Sequence, residues 1–399
     1  MSKKNEATTF AGGPIKIVGT IPPPGSPGTV QPLTPFAAIP YPTLDLDITD
    51  VPLKTALQAA IGEVVAMLGP NQKVAFSILC LAMNGNHRYA GIDDDKMHYS
   101  ASMLKVAAMY AAHELLAAAS RLARTPGPHT VSPTAFFSGL ESKFDGQITA
   151  AALPEVLAAA QALATKLPAY RSTPSYAKIF DVTGTGGAGA PTVDFNTDFA
   201  AKMNNMIEWS DDADSGECIR RLSYTYINAA LMKAGFYVHI PSPNGIWLAG
   251  DYTGGGNPYA RVNSVNDQLA AQVTTTKQML RVVALIAMNK LITQDGINAR
   301  MKTLLGLAAS HGGFFRLYNP PGGRPFDLEL SKIGVGPLKN GVSTFSEVQL
   351  LRWTRTPPPD PATKGLTGKI VVCWQNLQIN NQIGGIVEVF GRTYTKLLT

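Results

Sequence analysis

A serine and a lysine three positions apart stand at the head of an Ala-rich run, His98-Tyr99-Ser100-Ala101-Ser102-Met103-Leu104-Lys105-Val106-Ala107-Ala108-Met109-Tyr110. On a helix such residues share a face, so the Ser102 hydroxyl and the Lys105 amine can meet. A hydroxyl is a weak nucleophile until a neighbour takes its proton, and an amine can do so if its pKa is pulled down. A helix N-terminus adds free backbone N–H groups and a positive dipole end beside any oxyanion that forms. The chemistry these residues suit is acyl transfer through a serine ester. One Ser-x-x-Lys pair also fits a solvated helix face, so the rest of the chain has to decide.

The elements around this stretch must position it. Residues 1–48 hold Pro22-Pro23-Pro24, Pro27, Pro32, Pro35, Pro40 and Pro42 and read as an extended arm. Residues 49–399 read as one domain. Asp50 can cap a first helix reaching Leu68, with Pro52 in its first turn and Leu53, Leu57, Ile61, Val64, Val65 and Leu68 on one stripe. Residues 74–83 and 87–92 read as a hairpin about Asn84-Gly85-Asn86. Asp93-Asp94-Asp95 leads into the Ser102 helix, which runs to Ala123. Further helices are predicted at 133–144, 154–167, 197–208, 218–233, 264–291 and 297–307, with loops at 172–191 and 236–262. Strand patterns return at 326–332, 342–354 and 369–374, and 386–398 closes as a helix. Strands on both sides of a helical insertion mean one sheet built from distant parts of the chain. The fold class is α+β, with a sheet lobe at about 49–95 and 325–399 and a helical lobe at about 96–324.

Composition narrows the function classes. With 399 residues, 45% apolar and 16% charged, the chain can bury a sizeable core in one large domain or two intimate lobes. Its net charge of +6 is not gathered into a basic cluster interleaved with aromatics, which excludes nucleic acid as the expected partner. Cys80, Cys218 and Cys373 lie far apart and read as core residues, and the six histidines form no His-x-x-x-His pair, so no metal site is expected. No run reaches the ~18 apolar residues of a membrane span, and Met1 to Glu6 lead into no signal-like apolar core. The chain as given therefore reads as soluble and cytoplasmic, with a periplasmic or secreted location if an export signal has been removed. Gly184-Thr185-Gly186-Gly187-Ala188-Gly189 spells a dinucleotide-binding pattern, but Pro191-Thr192-Val193-Asp194-Phe195 follows in place of a helix, so it reads as a loop.

Two further groups give Ser102 and Lys105 company. Ser210-Asp211-Asp212 follows Met206-Ile207-Glu208-Trp209 at a helix junction, and Lys332-Ile333-Gly334 sits on a late strand. Singly, Ser210 is as well explained as a helix cap, Asp211 and Asp212 as turn residues and Lys332 as a strand-end lysine. In this order and setting the three sets resemble the Ser-x-x-Lys, Ser-Asp-Asn and Lys-Thr-Gly motifs of the class A β-lactamase and penicillin-binding protein superfamily. The likeness covers roughly residues 50–399, including the first helix, the hairpin, residues 263–305 and the strand at Lys369. It implies a β-lactamase-like fold, an antiparallel sheet flanked by N- and C-terminal helices with a helical lobe inserted and the site at the lobe junction. It also implies a serine hydrolase with an acyl-enzyme at Ser102, Lys105 as base and Ser210 relaying a proton to the leaving group. Lys332 would keep Lys105 partly neutral by like-charge repulsion and attract anionic substrate groups. The oxyanion hole would be the backbone N–H groups of Ser102 and of Val335, the residue after Gly334. The implied partner is a small-molecule or peptide-like substrate, and no metal or organic cofactor is called for.

The chain also departs from that family. Asp212 stands in place of Asn; a carboxylate cannot donate the amide hydrogen bond that holds a substrate carbonyl, and beside Lys105 it raises that lysine's pKa. Ile333 replaces a hydroxyl residue that helps bind the substrate carboxylate. No Glu-x-x-Leu-Asn segment follows the second motif; the loop reads Pro241-Ser242-Pro243-Asn244-Gly245-Ile246-Trp247, with Asp251 as the nearest acid. The stretch from Ser102 to Ser210 is longer than in the family, so an inserted helical segment is expected over the cleft. The expectation is a hydrolase of esters or amides with weak or no β-lactam hydrolysis. One alternative is a penicillin-binding or peptidase-like protein that deacylates slowly. The other is a non-catalytic binding protein that keeps the fold, a view that an ion pair locking Lys105 to Asp212 favours.

Overall fold

The computed structural model describes residues 17–18, 33–36, 43–69, 73–83, 85–167, 171–250, 252, 260–294, 296–354, 366–378 and 383–398. The Asp50 carboxylate accepts the Leu53 N–H at 2.9 Å, and with Pro52 in the first turn the first helix, α1, runs Val51–Leu68. The hairpin follows as β1, Ala75–Ala82, and β2, Arg88–Ile92. After a 3₁₀ turn at Ala101–Leu104 comes α2, Lys105–Ala123. The inserted part then holds α3, Thr197–Glu208, α4, Asp212–Leu222, α5, Tyr224–Lys233, α6, Thr276–Ala287, and α7, Ile297–Gly312. The chain returns to strands at β3, Phe326–Pro337, β4, Ser343–Trp353, and β5, Leu366–Gln378, before α8, Ile383–Leu398.

The five strands form one antiparallel sheet in the order β3-β4-β5-β1-β2. The last strand thus lies between the first hairpin and the two strands before it. Alternation sends side chains to opposite faces. Phe76, Ile78, Cys80, Leu351, Val372 and Trp374 pack beneath α1 (Leu53, Leu57, Val64) and α8 (Ile386, Phe390, Tyr394). Leu79, Leu81, Val348, Leu350, Val371 and Cys373 face α2 and the inserted lobe. Burial of each large apolar side chain contributes about 1.5–3 kcal/mol. By length and composition α1 could cross a membrane, but its apolar stripe is spent on this sheet and on α8. All three cysteines are buried and unpaired.

The inserted lobe differs from its sequence reading in several places, the expected loop at 236–262 among them, which holds strands Tyr237–Val238, Asn244–Gly245 and Trp247–Leu248. Residues 218–233 are two helices, because Ser223 takes φ +74° and its hydroxyl accepts the Thr225 N–H at 3.2 Å to start α5 afresh. Residues 172–191 include a helical turn, Tyr176–Ile179, and a strand, Phe180–Thr183, that pairs with Thr192–Phe195. The Gly184–Gly189 stretch is the connection of that hairpin. Residues 262–274 are short strands: Val262–Ser264 pairs with Gln268–Ala270, and Gln272–Thr274 with His98–Tyr99 and Trp247–Leu248. Thr274 and Thr275 favour extended backbone there, and Thr275 then caps α6 by accepting the Gln278 N–H at 3.2 Å.

Most of the Pro-rich arm, including Pro22-Pro23-Pro24, lies outside the described residues. Residues 34–36, 44 and 46 lie against the body. Phe36, Leu44 and Leu46 are buried in the same core as α2, Arg121 donates to the carbonyls of Thr34 and Phe36, and the Tyr226 hydroxyl donates to that of Pro35 at 3.1 Å.

Candidate active site

Ser102 is placed by the chain immediately before it. His98–Tyr99 pairs with Gln272–Thr274, and the buried Ser100 hydroxyl donates to the His98 carbonyl at 2.8 Å. Ala101 then takes φ +46°, a left-handed conformation that costs energy for a residue with a Cβ. Ser102 follows inside the 3₁₀ turn, and Lys105 opens α2. The turn rests on β3 at Gly334, where a Cβ would lie 2.1 Å from the Ser100 oxygen and 2.8 Å from the Met103 nitrogen. Only glycine lets strand and turn approach this closely. Ser102 borders a cleft of about 330 Å³ shared with Tyr99, Asp212, Tyr252, Gln272 and Val335.

Lys105 lies beneath that cleft with no exposed side-chain surface. Its ammonium donates to the Ser210 carbonyl and the Asp212 Oδ1, both at 2.6 Å. Longer contacts reach the Ser210 hydroxyl at 3.3 Å and the Asp211 carbonyl at 3.4 Å. Ser210 sits between α3 and α4 with φ +61°. Asp211, not Ser210, caps α4, accepting the Asp214 N–H at 2.8 Å. That leaves both the carbonyl and the hydroxyl of Ser210 to the lysine. Burial pulls the Lys105 pKa below its usual value, and the Asp212 carboxylate opposes this.

The expected meeting of Ser102 and Lys105 does not take the form of a hydrogen bond. Among the described residues, the acceptors of the ammonium all lie at the α3–α4 junction.

Lys332 comes from β3 and is buried at 2% exposure, its ammonium donating to the Ile207 carbonyl at 3.0 Å. That carbonyl belongs to the last turn of α3, where helix carbonyls lack an internal partner. Among the described residues no carboxylate pairs with Lys332. Burial drives its pKa well down, and the charge of Lys105 adds to this while Asp212 opposes it. Strand alternation puts Lys332 and Gly334 on one face and Ile333 on the other, where its Cδ1 would stand 3.8 Å from a Cβ at Gly312 of α7. Val335 is 44% exposed and lines the cleft with Ser102.

The predicted residues therefore converge in two layers: Ser102, Asp212 and Val335 on the cleft surface, and Lys105, Ser210 and Lys332 beneath or beside it. Gly334 closes the strand against the turn. Asp251 lies outside the described residues. Among the described residues, the extra segment between the first two motifs gives none to the cleft; its Phe136, Leu140, Phe144 and Ile148 go into the core, and Asp145 accepts from Arg171, Thr173 and Tyr176. The sequence reading missed Tyr252, whose ring centroid is 4.6 Å from the Lys105 Nζ and whose hydroxyl donates to the Ala101 carbonyl at 3.0 Å. A lone tyrosine in a Gly-rich stretch gives no local signal of this. Among the described residues no three His, Cys, Asp or Glu side chains converge to hold a metal ion.

No family model matches the chain, and no curated protein matches it. Solved structures do. The β-lactamase from Chitinophaga pinensis is similar over 86% of this chain and 99% of its own, at 11% identity and a TM-score of 0.47. That from Desulfarculus baarsii is similar over 88% and 98%, at 14% identity and a TM-score of 0.44. The β-lactamase from Streptomyces albus G is similar over 85% and 99%, at 11% identity and a TM-score of 0.42.

Proposed function

We propose that this chain is a serine hydrolase that forms an acyl-enzyme at Ser102 on an ester or amide substrate. The observation that carries the reading is the pair of lysines, Lys105 and Lys332, held inside the protein at the foot of a cleft bordered by a serine. Burying a cationic amine costs several kcal/mol, and packing alone is better served by Met or Leu. A buried amine with a lowered pKa is what proton transfer from a hydroxyl needs.

In the reaction the Ser102 oxygen attacks the carbonyl carbon, a C–O bond forms, and the hydroxyl proton passes to Lys105 in its neutral form. Collapse of the intermediate breaks the bond to the leaving group, which takes a proton by way of Ser210. The N–H groups of Ser102 and Val335 hold the oxyanion. Water must then split the ester. Among the described residues the carboxylates on the cleft are already engaged, Asp212 by Lys105 and Asp267 by the Lys339 N–H at 2.6 Å. Deacylation is accordingly slow and β-lactam turnover weak.

The Lys105–Asp212 ion pair favours a second reading, a binding protein that keeps the fold without the chemistry, since a lysine held as an ammonium takes no proton from Ser102. Intact-protein mass after incubation with a fluorophosphonate, and separately with a penicillin, divides the two. An adduct present in wild type and missing in Ser102→Ala supports the hydrolase, and a persistent penicilloyl adduct specifies a slow penicillin-binding enzyme. No adduct with either reagent sinks the hydrolase and leaves the binding protein.

A further inference from the structure

Tyr252 touches Lys105 and the residue just before Ser102 without belonging to any motif. Its hydroxyl donates to the carbonyl of Ala101, the residue before Ser102, and its ring faces the Lys105 ammonium. It also borders the cleft beside Ser102. We infer that Tyr252 is a positioning residue, which pins the Ala101–Ser102 turn through its hydroxyl and roofs Lys105 against cleft water with its ring. The consequence for catalysis rests on the hydrolase reading; the roof itself rests on geometry alone.

Two observations support it independently. A residue with a Cβ stays in the left-handed region only when its surroundings hold it there, and the Tyr252 hydroxyl holds the Ala101 carbonyl. If that turn relaxes, Ser102 leaves its place opposite Val335. Separately, Lys105 has no exposed side-chain surface although the cleft beside it is open. The aromatic face over the ammonium supplies an electrostatic attraction in place of lost hydration. Water approaching an ester at Ser102 from the Lys105 side meets the ring first, so the roof lengthens the life of the acyl-enzyme.

The test uses Tyr252→Phe, which keeps the ring and loses the hydroxyl, and Tyr252→Ala, which loses both. The first readout is reductive methylation with formaldehyde and cyanoborohydride, followed by peptide mapping. Lys105 is expected to stay unmodified in wild type and Tyr252→Phe and to become methylated in Tyr252→Ala. The second is fluorophosphonate labelling against reagent concentration. Tyr252→Phe is expected to lower the limiting rate about tenfold with the half-saturating concentration unchanged, as a misplaced nucleophile does. A merely structural role lowers the limiting rate and raises the half-saturating concentration together. An unmodified Lys105 in Tyr252→Ala overturns the roof, and wild-type labelling by Tyr252→Phe overturns the pin. If wild type takes no fluorophosphonate the hydrolase reading falls by itself, while the methylation map still decides whether Tyr252 covers Lys105.

Discussion

Lys105 and Asp212 form an ion pair of unequal burial: an amine with no exposed surface lies 2.6 Å from a carboxylate whose side chain is 62% exposed. The two ends stand to lose different things. Asp212 remains hydrated without its partner, whereas Lys105 without Asp212 keeps only carbonyl and hydroxyl acceptors in a buried site. Asp212 is therefore the residue that holds the proton on the amine nearest the Ser210 hydroxyl.

Asp212→Asn removes that charge and little else. Burial already holds the Lys105 pKa down and Asp212 pushes it up, so losing the carboxylate lowers it further. More of the amine is then neutral at pH 7. Fluorophosphonate labelling of Ser102 should speed about three- to tenfold, and the acidic limb of its pH–rate profile should move to lower pH. An unchanged profile would show that Lys105 is not the base.

Lys332→Met should separate function from stability. Among the described residues the buried lysine has one carbonyl partner and no paired carboxylate, so an apolar side chain of similar length should raise stability by about 1–3 kcal/mol in urea unfolding. The same variant should lose about a hundredfold or more in Ser102 labelling. Loss of both stability and labelling would mean that Lys332 serves the fold.

Gly334→Ala tests the seam between β3 and the Ser102 turn. The new Cβ meets backbone atoms, the Ser100 oxygen and the Met103 nitrogen, which cannot swing aside as a side chain can. Destabilisation of about 3 kcal/mol is expected, together with loss of labelling as the turn lifts from the strand. A variant with wild-type melting and wild-type labelling would contradict the close approach.

Glu347 gives the sheet lobe a pH dependence of its own. It lies wholly buried on β4, accepting from the Ser331 hydroxyl at 2.7 Å and the Phe314 N–H at 3.2 Å, and burial pushes its pKa up to about 8. The unfolded chain releases this proton near the ordinary value of 4.5 while the folded chain keeps it to about 8. Its contribution to stability is thus complete below the unfolded value and falls as pH rises through the folded one. Relative to wild type, Glu347→Gln should be more stable at pH 8 by on the order of 4 kcal/mol and within about 1 kcal/mol at pH 5. Equal stability differences at both pH values would rule this out.

The elements legible in the sequence are those whose signals are local. Asp50 and Pro52 mark the start of α1, the 74–92 hairpin shows in its own turn, and the Ser210 junction shows as a break between two helical patterns. What was illegible depends on distant partners. The break at Ser223 is held partly by the Ser172 carbonyl, 51 positions away in sequence, to which its hydroxyl donates. Gln272–Thr274 is a strand because it pairs with His98–Tyr99 and Trp247–Leu248. The same limit hid Tyr252, whose role exists only against Ala101 and Lys105.

The place of β5 between β4 and β1 sets the timetable of assembly during synthesis. Ser102 and Lys105 emerge early, with the hairpin that precedes them. The strand bearing Lys332 and Gly334 emerges much later, and it joins that hairpin only through residues 366–378. A growing chain therefore carries an unassembled serine through most of its translation. On the hydrolase proposal Ser102 becomes competent only as the central strand slots in, so a ribosome stalled before that strand releases a protein whose hairpin and Lys332 strand are not joined.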